Sequence, residues 1–433
     1  MKRGAALWAG GLALAALALA AAIPSCTRDP KEVLRFMIWG SPDEIHVVRG
    51  FLDEFRREHP EVAVQVEHAP AFGYQEKLQI LFLGGNAPDV MYVNQDFLPA
   101  FAGRGWLLPL DEFVARDRAR LEPEDFFVEP YERFRHQGRL YGICKDFTTL
   151  VLYYNRDLFE KWDVPLPEPD WTWDDFLRTA QALTREGDYG FLLETWPEEL
   201  FPWVWQAGGE VARDDPPQWL MGAPQHLDAS AEALQFLSDL IWEHRVAPGP
   251  SQTRDQGGNA LFLRGQVAMC TYGRWACMEF KNVQDFDWGV APLPRRRRAA
   301  TSTFAVSYSV AASTRQPDAA WTLVRFLTGK AAQEAVAHSA QAIPARRSAA
   351  TSDAFRAPDA LSHLPFEVAA DPYVDAVPVG RFSPRFETAA EVKTAFSRGV
   401  EPLWNGTRRD ARAILTELQP ALEEITARSR PGD

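Results

Sequence analysis

The chain has 433 residues, of which 46% are hydrophobic and 24% charged, enough to bury a sizeable core in two or three domain-sized units. Its formal charge is −13, and removal of residues 1–25 would take away Lys2 and Arg3 and leave −15. A surface of that sign argues against nucleic acid and against an anionic membrane surface as the main partner.

Met1 to Ala22 has the layout of a secretory signal, with Lys2-Arg3 followed by an apolar run from Leu7 to Ala22 dominated by Ala and Leu. The run ends in Ile23-Pro24-Ser25-Cys26, which resembles the lipobox of bacterial lipoproteins. That likeness implies a signal peptide over 1–25, lipidation of Cys26 as the new N-terminus, and a lipid-anchored tether over 26–32. A plain signal peptide is the other reading. No other stretch approaches the roughly 20 apolar residues that span a bilayer.

Val33 to Trp39 reads as a strand, and Glu44 to His59 as an amphipathic helix with Val47, Val48, Phe51, Leu52 and Phe55 on one face. A strand over Val62 to Val66, a helix over Tyr74 to Leu83, a turn over Gly84 to Pro88 and a strand over Asp89 to Val93 follow. Such a βαβαβ opening builds an open, largely parallel sheet. Ligands of such sheets sit at the carboxyl ends of the strands, which points to Trp39-Gly40-Ser41 and Asn94-Gln95-Asp96.

Arg139 to Ile143 alternates like a half-buried strand that stops at the polar pair Lys145-Asp146. Thr149 to Tyr154 is a second, apolar strand of the kind buried on both faces of a sheet. The polar break between them, Cys144 to Phe147, is either a loop or a hinge. Asn155 is a good N-cap for a helix opening at Arg156, and Thr172 with Asp175 makes a capping box for a helix running through Leu183. Gly190 to Leu193 reads as a short strand. Trp196 to Trp205 then carries three tryptophans and a phenylalanine in ten residues; at helical spacing Phe201 and Trp205 fit a core.

Ala231 to Trp242 reads as a helix, Val267-Ala268-Met269 as a strand leading to Gly273-Arg274-Trp275, and Phe304 to Ala312 as a strand. Helices follow from Pro317 to Gly329-Lys330, around Pro402-Leu403-Trp404, and from Asp410 to Ala427. Arg295 to Arg298 is a solvated basic loop. The segments Arg213 to Leu227 and Ala349 to Val379, rich in Pro and Asp, read as loops.

The run Val151-Leu152-Tyr153-Tyr154-Asn155, with Phe159 and Lys161 behind it, resembles the signature of bacterial extracellular solute-binding proteins of the carbohydrate group. Cys144 and Lys145 depart from that signature, which has a small and an apolar residue there. Gly85-Asn86-Ala87-Pro88-Asp89, the run from Phe262 through Gly265 and Met269 to Trp275, and Ala342 to Arg346 are similar to further family segments in the same order. The resemblance implies an α/β, two-lobed periplasmic-binding-protein fold with a cleft between the lobes and three interlobe crossings. One lobe would comprise 33–144 and 305–344, the other 147–303 and 345–433. It also implies a monomeric, lipid-anchored, extracytoplasmic protein, on the periplasmic side in a Gram-negative cell. Such a protein captures a sugar or oligosaccharide and delivers it to the permease of an ATP-binding-cassette importer, with no catalysis, cofactor, metal or nucleic acid.

Sugar sites pair flat apolar faces with planar polar groups that read hydroxyls. The expected faces are Trp39, Trp196, Trp203, Trp275 and Phe386, and the expected hydroxyl partners are Asp96, Asp146, Glu198 and Arg274. Trp275 carries over most directly, since the family's sugar platform stands after the same Gly-x.

Motifs for enzymatic chemistry are absent: the sequence has no Gly-x-Ser-x-Gly, Walker, Gly-x-Gly-x-x-Gly or His-Glu-x-x-His run, and its eight histidines show no metal-ligand spacing. Cys144, Cys270 and Cys277 remain besides Cys26; Cys270 and Cys277 either bridge or stay as buried thiols. Glu198-Glu199 beside Trp196 and Trp203 leaves a secreted glycoside hydrolase as an alternative, although a second acid is not evident. A glycerophosphoryl ligand, or presentation of ligand to a sensor, are further alternatives.

Overall fold

The computed structural model describes residues 33–185, 187–253 and 258–429; the signal segment, Cys26 and the tether lie outside them. Strand β1 (Leu34–Ile38) enters helix α1 (Pro42–Glu58) through a capping box, in which Ser41 and Glu44 each bond the other's backbone N–H. Strand β2 (Val64–His68), helix α2 (Tyr74–Leu83) and strand β3 (Val90–Asn94) complete the opening, and β1 pairs in parallel with both β2 and β3. The βαβαβ reading therefore holds.

Strand β4 (Gly142–Thr149) differs from expectation, for all eight of its residues are buried and the polar pair lies inside the strand. Its antiparallel partner sets Val306 opposite Asp146 and Ser307 opposite Cys144, which leaves Lys145 as the extra residue of a β-bulge. A bulge bends the strand and re-aims side chains, so Lys145 and Asp146 satisfy each other without a loop. The chain leaves this sheet at Leu150 and continues as strand β5 (Val151–Asn155), whose Asn155 caps helix α3 (Arg156–Lys161) by accepting from the Leu158 N–H at 3.0 Å.

Helix α4 (Trp173–Leu183) begins at the expected Thr172–Asp175 capping box. Residues 190–193 form only an isolated bridge, Leu192 with Cys270, instead of a strand. Helix α5 (Pro197–Gln206) holds the aromatic run, a hairpin of 212–214 with 217–219 occupies the first expected loop, and helix α6 (Leu227–Trp242) follows. Strands β6 (Met269–Tyr272) and β7 (Trp288–Ala291) flank β5 in a three-stranded sheet.

Strand β8 (Thr301–Val310) returns to the first sheet, helices α7 (Pro317–Leu327) and α8 (Lys330–Ser339) cover it, and strand β9 (Ile343–Pro344) pairs with Phe147 and Asp146. Short helical turns occupy much of 347–379 where a loop was expected. Strand β10 (Gly380–Phe382) adds to β8, and helices α9 (Ala389–Trp404) and α10 (Ala411–Ala427) close the chain.

Among the described residues the large sheet has seven strands, in the order β9-β4-β8-β3-β1-β2 with β10 on β8, and is mixed instead of largely parallel because β8 runs antiparallel to β3 and β4. Strand β5 shows how two cores arise. Val151 and Tyr153 join the apolar cluster continuous with the large sheet, whereas Leu152 and Tyr154 join a second cluster holding α4, α5, α6, α9 and α10. The first cluster also holds Cys270, Phe280 and Trp288 beside β6 and β7, so the apolar core is continuous from the large sheet to the small one, and β4 and β8 carry the chain between the two α/β lobes. Cys144, Cys270 and Cys277 are buried and unbridged.

Candidate functional site

The carboxyl ends of β1 and β3, the bulged middle of β4, the turn after β6 and the middle of β8 converge on a cleft between the sheets. Its central cavity, about 490 Å³, is lined by Trp39, Glu44, Gln75, Asp146, Trp275 and Phe304 among others. A neighbouring cavity of about 190 Å³ shares Asn94 and Phe304 with it and adds Asp96, Trp196, Glu198 and Lys393.

Aromatic faces dominate the junction. Phe304 lies between Trp275 and Trp196, with ring centroids at 5.3 and 5.5 Å, and Trp39 is wedged against Tyr74 and Tyr92 at 4.7 and 5.0 Å. Gly273 shapes this row through close approach, since a Cβ there would meet the Trp275 indole at 2.1 Å. Its backbone is ordinary extended chain, φ −78° and ψ 177°, so the glycine serves the indole and not a special turn.

The polar groups are neutralised in pairs. Lys145 donates to Asp146, and its ammonium stands 5.1 Å over the Tyr92 ring. Burial works against that ammonium most strongly of any single cause, but Asp146 beside it, Tyr308 and Glu44 together reverse the effect and hold the pKa above its ordinary value. Glu44 moves up from the usual carboxylate range because it is buried, with Lys145 opposing; its oxygens accept from the Ser41 N–H at 2.7 Å and from the Gln341 amide. In the second cavity Lys393 donates to both Asp96 and Glu198, and Ser383 Oγ donates to Glu198 at 2.9 Å. Burial again lowers the Lys393 pKa, and the two carboxylates more than reverse it.

Of the residues expected at the site, Trp39, Asp146 and Trp275 line the central cavity, and Asp96, Trp196 and Glu198 line its neighbour. Three do not. Trp203 is 2% exposed and packs on Trp173, Phe176 and Phe236 in the second core. Some 140° of helical turn separates it from Glu198, about 100° per residue. Phe386 is 4% exposed in the same core; from the segment that follows it, Lys393 reaches the cleft instead. Arg274 is also buried. Its guanidinium lies 3.8 Å over the Phe355 ring and donates to the Phe355 carbonyl at 2.8 Å. The 3₁₀ turn 274–276 sets successive side chains about 120° apart, so Arg274 and Trp275 point different ways. Phe304, Glu44, Gln75, Lys145 and Lys393 were missed. Only the departure of Lys145 from the apolar strand pattern signalled any of them.

A family model described as bacterial extracellular solute-binding protein matches residues 46–334. The chain belongs to that family. Among its relatives, a maltotriose-binding protein from Pyrococcus abyssi is 24% identical over 307 residues, which cover 68% of this chain and 62% of that relative's own length. The solved structure of an ABC substrate-binding protein from Listeria monocytogenes in complex with cycloalternan superposes with a TM-score of 0.82 at 22% identity, covering 91% of this chain and 98% of the other. UgpB from Mycobacterium tuberculosis in complex with glycerophosphocholine superposes with a TM-score of 0.77 at 20% identity, covering 92% and 98%. These structural likenesses give the fold: two α/β lobes about a ligand cleft.

Proposed function

We propose that this solute-binding protein captures a neutral carbohydrate in its cleft and delivers it to the permease of an ATP-binding-cassette importer. The observation that carries the reading is the row Trp196, Phe304 and Trp275 across two adjoining cavities. Flat aromatic faces suit the C–H surfaces of sugar rings, and the flanking Glu44, Asp146, Asn94 and Gln341 suit hydroxyls. Lys145 and Lys393 are each neutralised by carboxylates, which favours an uncharged ligand over a phosphodiester. The relatives named for maltotriose and galactooligosaccharide support the same ligand class.

The protein works by binding alone. Asp96 and Glu198, the paired acids beside the aromatic row, share one ammonium and serve as acceptors, an arrangement unlike the free acid and base of a glycoside hydrolase. One lobe consists of 33–144 with 305–344 and the other of 147–303 with 345–433. Contacts from both lobes to one ligand favour the closed form, and that form is what the permease reads. Cys26, lipidated after removal of 1–25, anchors the chain outside the cytoplasm.

Thermal-shift measurement against a panel of mono- and oligosaccharides tests the reading. A sugar at 100 times its dissociation constant stabilises the fold by about 2.7 kcal/mol. Stabilisation by glycerophosphodiesters and by no sugar would replace the proposal.

A further inference from the structure

Gln75 lines the central cavity from the first turn of α2, is 5% exposed, and has neither its amide oxygen nor its amide nitrogen hydrogen-bonded within the protein. Its place is fixed. The preceding Tyr74 is 1% exposed, donates its hydroxyl to the Met37 carbonyl at 2.7 Å and stands 4.7 Å from the Trp39 ring. An amide on a cavity wall with no partner in the protein is left to be satisfied by what fills the cavity, and native structures rarely keep one whose groups are never satisfied. Nearby polar side chains are already engaged: Glu44 binds Ser41 and Gln341, and Asp146 binds Lys145.

An amide offers donors on nitrogen and an acceptor on oxygen. A carboxylate or phosphate would satisfy only the nitrogen, and an ammonium only the oxygen. Two neighbouring hydroxyls satisfy both, one accepting from Nε2 and the other donating to Oε1. We propose that Gln75 is a specificity-determining residue that reads a pair of adjacent hydroxyls on the sugar seated beside Trp39. The inference rests on the carbohydrate reading and adds to it the group that selects a vicinal diol.

The test compares wild type with Gln75→Met, which keeps length and volume and removes both hydrogen-bonding groups. Maltotriose, a galactooligosaccharide and an arabinooligosaccharide serve as probes in calorimetric titration, alongside melting of the free proteins. Gln75→Met is expected to bind every probe that wild type binds about tenfold or more weakly, the scale of one or two lost hydrogen bonds. Its free form is expected to melt at the wild-type temperature or above, because no hydrogen bond within the protein has gone. Affinity within twofold of wild type overturns the inference. So does a variant that melts lower or fails to fold, which would show the amide to be satisfied inside the protein. A wild type that binds none of the probes contradicts the carbohydrate reading itself, and the inference falls with it.

Discussion

Lys393 of α9 donates across the cleft to Asp96, just beyond β3, and holds Glu198 of α5 with the same ammonium. All three side chains are nearly buried, at 11 to 12% exposure. Removal of the cation would leave two buried carboxylates facing each other, a loss on the scale of about 3–5 kcal/mol. Lys393→Met is therefore expected to lower stability by that amount in chemical denaturation. Elsewhere, the Lys281 ammonium meets Asp43 at 2.6 Å with the carboxylate half exposed, so Lys281→Met is expected to cost less than about 1 kcal/mol. Equal losses in the two variants would contradict the difference in burial.

Trp275 is half-buried with one side toward the central cavity, so its truncation separates a structural role from a binding one. Emptying a core aromatic costs roughly 3–5 kcal/mol. Trp275→Ala is expected to cost less than that in folding while weakening sugar binding by about 2 kcal/mol, roughly thirtyfold. Gly273→Ala should act in the same direction, because its new methyl would displace the indole. Melting and titration of both variants check this; a large stability loss with undiminished affinity removes Trp275 from the site.

Local signals were legible in the sequence, and signals that depend on distant packing were not. Asn155 and the Thr172–Asp175 box form as read because a cap is decided within three or four residues. The βαβαβ opening was legible for the same reason. Lys145 appeared to break a strand because nothing in its own segment shows that Val306 and Ser307 pair around it. Trp203, Arg274 and Phe386 had a suitable residue type but the wrong orientation, and orientation on α5 or on the 274–276 turn is set by which neighbour packs where. Phe304 and Lys393 carried no local mark at all; they become site residues because β8 and α9 bring them beside Trp196, Trp275 and Asp96.

Glu199 sets a pH dependence. Burial pushes its carboxyl well above the usual range, with the Thr271 hydroxyl, donating to Oε2 at 2.5 Å, opposing. The folded chain therefore keeps a proton that the unfolded chain releases. Stability is complete below the ordinary glutamate range and is lost as pH rises toward the folded value. Glu199→Gln keeps a neutral side chain, so its advantage in melting temperature over wild type is expected to widen between about pH 5 and about pH 8. A constant or narrowing margin would contradict this assignment.

The proposed membrane attachment rests on Cys26. Cys26→Ser is expected to move the protein from the membrane fraction to the soluble extracytoplasmic fraction with its melting temperature unchanged. A mature N-terminus that proves unlipidated, or lies elsewhere, contradicts the anchor.

Capture by closure is tested most directly by small-angle scattering with and without a saturating sugar from the thermal-shift panel. The segments Cys144 to Thr148, Phe304 to Ser309 and Ile343-Pro344 lie side by side in adjoining strands, and the proposed closure is a rotation about them that moves one lobe against the other. The radius of gyration is expected to contract when sugar is bound, and to contract less for Trp275→Ala at the same sugar concentration. An unchanged radius under saturating sugar would contradict a cleft that closes on its ligand.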